Sequence, residues 1–255
     1  MSQKGGAGKT TVVLGLAAVA QVTGRRVLVV DLDPQANASV VLDAARTGWT
    51  THHVLADPRP ELLRQAVQTT GWGEGVDVVP AELALERRES PGHAGEQRLA
   101  GALDGLRGYD LVLVDCPPAL GTLTRNGLAA ARYALVVTEP TVFGLMGAQQ
   151  ALVAVDTVRA AVNATLRPAG IVLNKLRHTV EHDYRQHEVT EAYPDLVWVP
   201  PLPDRAVVAQ AKGAHVPLTC WQSAAARELS RTFLNYLERL LPARRCAAAR
   251  AGKDV

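Results

Sequence analysis

Near its start the chain reads Gln3-Lys4-Gly5-Gly6-Ala7-Gly8-Lys9-Thr10-Thr11. No other run constrains the fold as much. Glycines followed by Lys-Thr-Thr, and then a helical pattern over residues 10–22, make a loop that closes around an anion. Gly5, Gly6 and Gly8 admit backbone conformations closed to other residues, so N–H groups can approach phosphate oxygens closely, with Ala7 completing the cradle. The helix behind the loop adds a favourable dipole for negative charge. Gly8, Lys9 and Thr10 fall in register with the general form G-x-x-x-x-G-K-[ST], whereas Gln3 stands where the first glycine belongs. Lys9 is expected to reach the β- and γ-phosphates of a nucleoside triphosphate, the Thr10 hydroxyl to ligate Mg²⁺, and Thr11 to help hold the α-phosphate. Lys4 adds a second cation beside the phosphates, one that this subunit does not need for its own nucleotide.

A loop of this kind follows a buried strand, typically about 5–6 residues long. Only Met1, Ser2 and Gln3 come before Lys4. Either the true start lies upstream, or the sheet lacks its central strand. The first is the expectation, and the chain as written is expected to be less stable than related chains.

Downstream, short continuous apolar runs at residues 26–30, 76–79, 111–114, 134–137, 170–173 and 197–199 alternate with helical patterns. The helices are expected at 10–22, 61–69, 94–106, 122–131, 144–162, 181–192, 205–212 and 223–241. Runs without in/out alternation suit strands buried on both faces. The order predicts an α/β fold: a doubly wound, mostly parallel sheet flanked by helices, as in P-loop NTPases, with its first strand missing from the sequence as it stands. Residues 1–242 read as one domain, and 243–255 as a basic, mobile tail. Residues 43–60 and 86–97 read as irregular. Aromatic residues are 4% of the chain while hydrophobic residues are 47%, so Val, Leu and Ala must fill the core. No apolar run reaches the roughly 18 residues that span a bilayer, and no signal-peptide pattern is present; a cytoplasmic protein is expected.

Two of the apolar runs end in acids. Arg26-Val27-Leu28-Val29-Val30-Asp31-Leu32-Asp33-Pro34-Gln35 puts two carboxylates at the carboxyl end of a strand, where open α/β sheets bind ligands. Asp31 and Asp33 are two apart and leave the strand on the same side. One can organise Mg²⁺ and its waters; the other can orient an attacking water. Tyr109-Asp110-Leu111-Val112-Leu113-Val114-Asp115-Cys116-Pro117-Pro118 is a second strand ending in an acid, with Asp115 as a Walker-B-type Mg²⁺ carboxylate.

Charge is uneven. Residues 200–255 hold nine Lys/Arg against four acids, a net +5, which leaves −3 for the rest of a chain whose total is +2. A basic C-terminal face suits an anionic partner. Cys116, Cys220 and Cys246 lack C-x-x-C pairing, so neither a zinc site nor a disulfide framework is expected. His178 and His182 have chelating i, i+4 spacing, but no further ligand completes a set with His187.

These residues resemble the ParA/MinD family of deviant-Walker P-loop ATPases, and within it the ParA/Soj partition branch. The likeness rests on Lys4-Gly5-Gly6-Ala7-Gly8-Lys9-Thr10-Thr11, on Asp31-Leu32-Asp33-Pro34-Gln35-Ala36-Asn37-Ala38-Ser39 and on Val114-Asp115-Cys116-Pro117-Pro118-Ala119-Leu120-Gly121. Leu123-Thr124-Arg125-Asn126-Gly127-Leu128-Ala129-Ala130-Ala131, Glu139-Pro140-Thr141 and residues 200–217 extend it over nearly the whole chain. The resemblance implies a homodimer with ATP sandwiched between subunits. Lys4 would cross to the partner's ATP and act in trans like an arginine finger. Asp33 would position the lytic water, and Asp31 and Asp115 would belong to the Mg²⁺ shell. Asn174 would read adenine, and the turn containing Pro203 would pack on the base. The family couples ATP-driven dimerisation to non-specific binding of double-stranded DNA on the nucleoid, and a ParB-like adaptor stimulates hydrolysis. Arg205, Lys212, Arg227 and Arg231 are the expected DNA contacts, with Arg227 and Arg231 on one helix face.

Two alternatives stand within the same family. One is an ATPase that positions some other cargo along the nucleoid. The other is a MinD-like membrane ATPase, which needs an amphipathic C-terminal helix. Leu229, Phe233, Tyr236, Leu237 and Leu240 form such a stripe, but the tail beyond it has no large apolar anchor except Val255, so no stable membrane anchor is expected. A metabolic P-loop enzyme is the remaining, less favoured class.

Overall fold

The computed structural model describes residues 1, 5–44, 48–89 and 95–241. Its strands are β1 (Val27–Asp31), β2 (Gln68–Thr69), β3 (Val76–Val79), β4 (Leu111–Asp115), β5 (Tyr133–Thr138) and β6 (Arg167–Leu173). The helices are α1 (Lys9–Val22), α2 (Asn37–Val41), α3 (Thr51–Ala56), α4 (Pro60–Ala66), α5 (Arg98–Leu103), α6 (Thr122–Ala130), α7 (Val142–Ala161), α8 (Val180–Ala192), α9 (Ala206–Gly213) and α10 (Ala224–Leu240). Short 3₁₀ turns lie at Leu83–Arg88 and Leu218–Cys220.

β1 pairs in parallel with β3 on one side and β4 on the other, with Val29 opposite both Val78 and Leu113. Its five residues are all buried because both of its faces are covered. Val27 and Val29 face a core built with α1, α9 and α10, while Leu28 and Val30 face one built with α3, α4 and α5. This alternation sorts one apolar strand between two helical layers, the doubly wound arrangement that the order of elements predicts. On the first face α10 packs Phe233 directly against Gly15 of α1, where any Cβ would overlap the ring. The apolar stripe of α10 is therefore core: Leu229, Phe233, Tyr236 and Leu237 are all buried.

Among the described residues the sheet is in two pieces. β2-β3-β1-β4 forms one and β5-β6 the other. Between the facing edges of β4 and β5 lies a cavity of about 730 Å³, lined among others by Val12 and Leu16 of α1, Leu113 and Val114 of β4, and Leu135 and Val137 of β5. Three of the five residues of β4 are only half-buried as a result. Met1 sits on the β5 side of this slot. Its amino group donates to Leu135 O at 2.5 Å and its carbonyl accepts from Val137 N at 2.9 Å, the two bonds of one parallel rung.

Several boundaries differ from the sequence expectation. The helix expected over 61–69 ends at Ala66, and Gln68 and Thr69 instead pair antiparallel with β3 as a short edge strand. The strand expected over 197–199 is a single bridge from Val197 to Ile171, since Pro200 and Pro201 have no N–H to extend a ladder. The stretch 43–60, expected to be irregular, holds α3, which Thr50 and His53 close with a reciprocal capping box. The helix expected from 94 to 106 is confined to α5. The expected tail, 243–255, lies outside the described residues.

Candidate active site

The carboxyl ends of β1, β4, β5 and β6 and the N-terminus of α1 converge at one edge of the fold. There the ladder sets Asp31 and Asp115 opposite each other. Asp31 is fully buried and its carboxylate is saturated by protein donors. Oδ1 accepts from Asp33 N at 3.0 Å; Oδ2 accepts from Ser39 N at 2.9 Å and Ser39 Oγ at 2.7 Å. Burial, and then the charge of Asp115, push Asp31 up to about 7 despite those bonds. Asp115 is as deeply buried but contrasts in its bonding, since among the described residues neither oxygen completes a hydrogen bond of ordinary geometry. Burial pushes it up to about 6; the Thr10 hydroxyl opposes the shift, Asp33 adds to it, and Lys9 opposes it.

Lys9 opens α1 and is 8% exposed. Burial pushes its pKa down, and the charges of Asp115 and Asp33 hold it up. Asp33 is also buried, and its Oδ1 accepts from Gln35 N at 3.0 Å, which fixes the turn beyond β1. Asp31 thus orders the turn, while Asp115 faces Lys9 and the Thr10 hydroxyl without a protein donor at ordinary hydrogen-bond geometry among the described residues.

The phosphate loop is held from below. Gly6 and Gly8 take φ of +85° and +97°, and Gly8 caps α1 in that left-handed state. Asn174, buried at the end of β6, donates from Nδ2 to Ala7 O at 2.7 Å, and a Cβ on Gly8 would overlap that same nitrogen. This bond gives Asn174 a role in bracing the loop and uses one of its two amide N–H donors, so the expected reading of adenine by its remaining amide groups stands as a proposal. Lys175 follows at φ +56°, near Gly6, and pairs with Glu139 at 2.9 Å. Pro203 bridges Leu176 two residues beyond Asn174, so the turn expected to pack on the base lies on the same edge as the loop. Gly5 is exposed and Ala7 is buried.

The four expected DNA contacts divide. Arg227 and Arg231 are exposed on the outer face of α10, and Arg227 bonds Gln222 O. Arg205 precedes α9 and lies within 3.4 Å of Glu228. Lys212 is placed differently from the other three, and its expected DNA contact stands as a proposal. It is half-buried, and its Nζ donates to Thr11 Oγ1 at 2.6 Å, so it points at the phosphate loop. Lys4 lies outside the described residues. Ser39, Lys175 and Glu139 were not singled out as site residues from sequence. Ser39 stands in the segment that begins with Asp31, and that placement was the available signal.

The donor set fits a hard cation bound jointly with phosphates. Magnesium usually takes one or two carboxylates, a hydroxyl and the substrate's own oxygens. Among the described residues Asp115 has two buried oxygens without a partner of ordinary hydrogen-bond geometry, and the Thr10 hydroxyl stands next to it. With both of its oxygens already bonded, Asp31 fits an outer role. Among the described residues no cluster of three or more His, Cys, Asp or Glu side chains suits a protein-only metal cage. None of the helices there is long and apolar enough to cross a membrane.

Comparison with known proteins agrees with this architecture. A family model described as an AAA domain (AAA_31) matches residues 1–168. The chromosome partitioning protein ParA of Caulobacter vibrioides is 34% identical over 253 residues, covering 92% of each chain. The crystal structure of cobyrinic acid a,c-diamide synthase from Mycobacterium smegmatis with bound ADP and magnesium is 32% identical, with a TM-score of 0.74 over 93% of both chains. The McdA(D38A)–ATP complex from Cyanothece superposes with a TM-score of 0.83 over 94% of both chains at 21% identity, a likeness of fold.

Proposed function

This chain belongs to the ParA/MinD family of deviant-Walker P-loop ATPases, in its ParA/Soj branch, and on that premise we propose that it partitions a plasmid or chromosome by ATP-driven, non-specific DNA binding. The observation that carries the reading is the free, buried carboxylate of Asp115 facing Lys9 and Thr10 across the mouth of a phosphate loop. A Mg²⁺ ion held there would neutralise charge on the phosphates and fix their orientation. Lys9 supplies a cation to the β- and γ-phosphates, the N–H groups of residues 5–11 surround them, and Asp33 holds the attacking water.

ATP would bring two subunits together, with Lys4 of each reaching the other's nucleotide. Support for a dimer comes from Val142, Phe143 and Met146, which stand 44%, 75% and 52% exposed at the start of α7, on the edge that bears the site. A dimer would also join two copies of the Arg227–Arg231 face into one basic surface suited to a DNA backbone. Hydrolysis, stimulated by a ParB-like adaptor, would release it.

A cargo-positioning role is the second reading and would use the same cycle; the superposition on McdA is compatible with it as a likeness of fold. The membrane-associated reading loses support from α10, whose apolar stripe is spent on α1. An amide-forming role, after the activity named for the Mycobacterium smegmatis protein, would couple ATP consumption to a carboxylic acid and an amine donor rather than to DNA and an adaptor. Lys4→Ala tests the trans mechanism. It should leave ATP affinity within about threefold and lower DNA- and adaptor-stimulated turnover by roughly a hundredfold or more. Unchanged turnover would remove Lys4 from the reaction.

A further inference from the structure

The nucleotide reading assigns two cations to the triphosphate, Lys4 and Lys9, and a third lysine reaches the first turn of the loop's helix. Lys212 lies in the last turn of α9, 201 residues along the chain from Thr11, and the tertiary fold alone brings the two together at 2.6 Å. The anchoring of α9 is apolar: Val207 and Ala211 are buried in the same core as α1 and α10. Lys212 leaves that core beside an apolar crevice shared by Leu14, Val41 and Phe233.

An ammonium in this setting is costly unless an anion meets it. Burial pushes the Lys212 pKa down, the distant charge of Asp115 holds it up, and the like charge of Lys175 lowers it further. Among the described residues it makes no ion pair, and its hydrogen bond goes to a neutral hydroxyl. That bond uses one of three N–H donors. It also occupies Thr11 Oγ1 as an acceptor, which strengthens the hydroxyl as a donor. Thr11 is the third residue of α1, in the turn whose backbone N–H groups have no partner within the helix. The Lys212 ammonium, with two further N–H donors, is thus tied to the first turn of α1, whose backbone N–H groups are donors as well.

We propose that Lys212 binds the phosphate nearest the nucleoside, together with Thr11, and so grips ADP and ATP alike. This rests on the nucleotide reading above and deepens it. Lys9 and Lys4 serve the terminal phosphates and the chemical step, whereas Lys212 serves retention of the nucleotide through the cycle. It is a binding residue, and its loss should change affinity without discriminating between di- and triphosphate.

The test uses the full chain, native and with Lys212→Met or Lys212→Arg, titrated with ADP and with a non-hydrolysable ATP analogue and melted without ligand. The proposal expects Lys212→Met to weaken both nucleotides by the same factor, roughly ten- to a hundredfold, as for loss of a charge-assisted hydrogen bond. Its ligand-free melting temperature should equal or exceed the native one, because a half-buried cation has been replaced by an apolar isostere. Lys212→Arg should recover most of the affinity. Equal affinity of Lys212→Met and native protein would overturn the proposal. So would weakening in Lys212→Met that Lys212→Arg does not relieve, since shape rather than charge would then matter. Native protein that binds neither nucleotide would overturn the parent reading along with this one.

Discussion

Asp31 and Asp115 are register partners at the ends of neighbouring strands, yet one has both oxygens bonded by the protein and the other, among the described residues, has neither in ordinary hydrogen-bond geometry. The asymmetry divides their labour. The first carboxylate shapes the turn that carries Asp33 and Ser39, and the second is left for what the protein binds.

A pH dependence follows from that division. Both acids are raised well above the usual carboxylate range, to about 7 and about 6. The folded state therefore binds protons that the unfolded chain has already released, so stability without ligand falls as pH rises from about 4 through about 7. Asp115→Asn should flatten this slope. Its ligand-free melting temperature should match the native value below about pH 4 and exceed it by a few degrees at pH 8, an effect on the order of 2–3 kcal/mol. The same variant should lose ATP turnover roughly a hundredfold. Thermal melts across pH with parallel turnover assays check both; a variant that melts lower at pH 8 would contradict the account.

Asn174 offers a test between bracing the loop and reading the base. With its amide bound to Ala7 O, Asn174→Ala should weaken ATP and GTP by a similar factor, about tenfold, through a loosened loop. An adenine reader would instead lose its preference for ATP over GTP, with GTP affinity unchanged. Competition titrations with the two nucleotides decide it.

The slot between β4 and β5 predicts a gain on filling. It exposes two strand edges over about 730 Å³ and leaves the Met1 amino group in a setting whose burial pushes its pKa down. An added segment of five or six Val/Ile-rich residues ahead of Met1 would turn that ammonium into an amide and supply a central strand. Its melting temperature should rise by at least 5 °C or so. An equally long Gly/Ser extension should leave it unchanged; equal effects of the two would mean that the slot does not accept a strand.

Much of this was legible in the sequence because it depends on short-range patterns. The phosphate loop, the two acid-tipped strands and the buried runs of β1, β3 and β4 each announce themselves within ten residues. What escaped depends on where side chains meet across the fold. Lys212 and Arg205 look alike on paper, seven residues apart, but one turns into the loop and the other lies against Glu228. Asn174 is expected from the resemblance to face the base, and only the fold shows its amide also bracing the loop at Ala7 O. Ser39 is a hydroxyl eight residues past Asp31, and only the turn through Pro34 brings them to 2.7 Å. Short elements were lost for another reason: α2 and α3 span one to two turns each, too few for a period to show.

The central claim is that ATP binding creates a DNA-binding form through the exposed face of α10. The most direct measurement is retention of random-sequence double-stranded DNA with ATP, ADP or no nucleotide, at two salt concentrations, for native protein and for Arg227→Glu combined with Arg231→Glu. The account predicts binding with ATP alone, weakened at the higher salt, and lowered at least tenfold in the double variant while nucleotide affinity is unchanged. Native protein that hydrolyses ATP yet binds no DNA in any nucleotide state would contradict it.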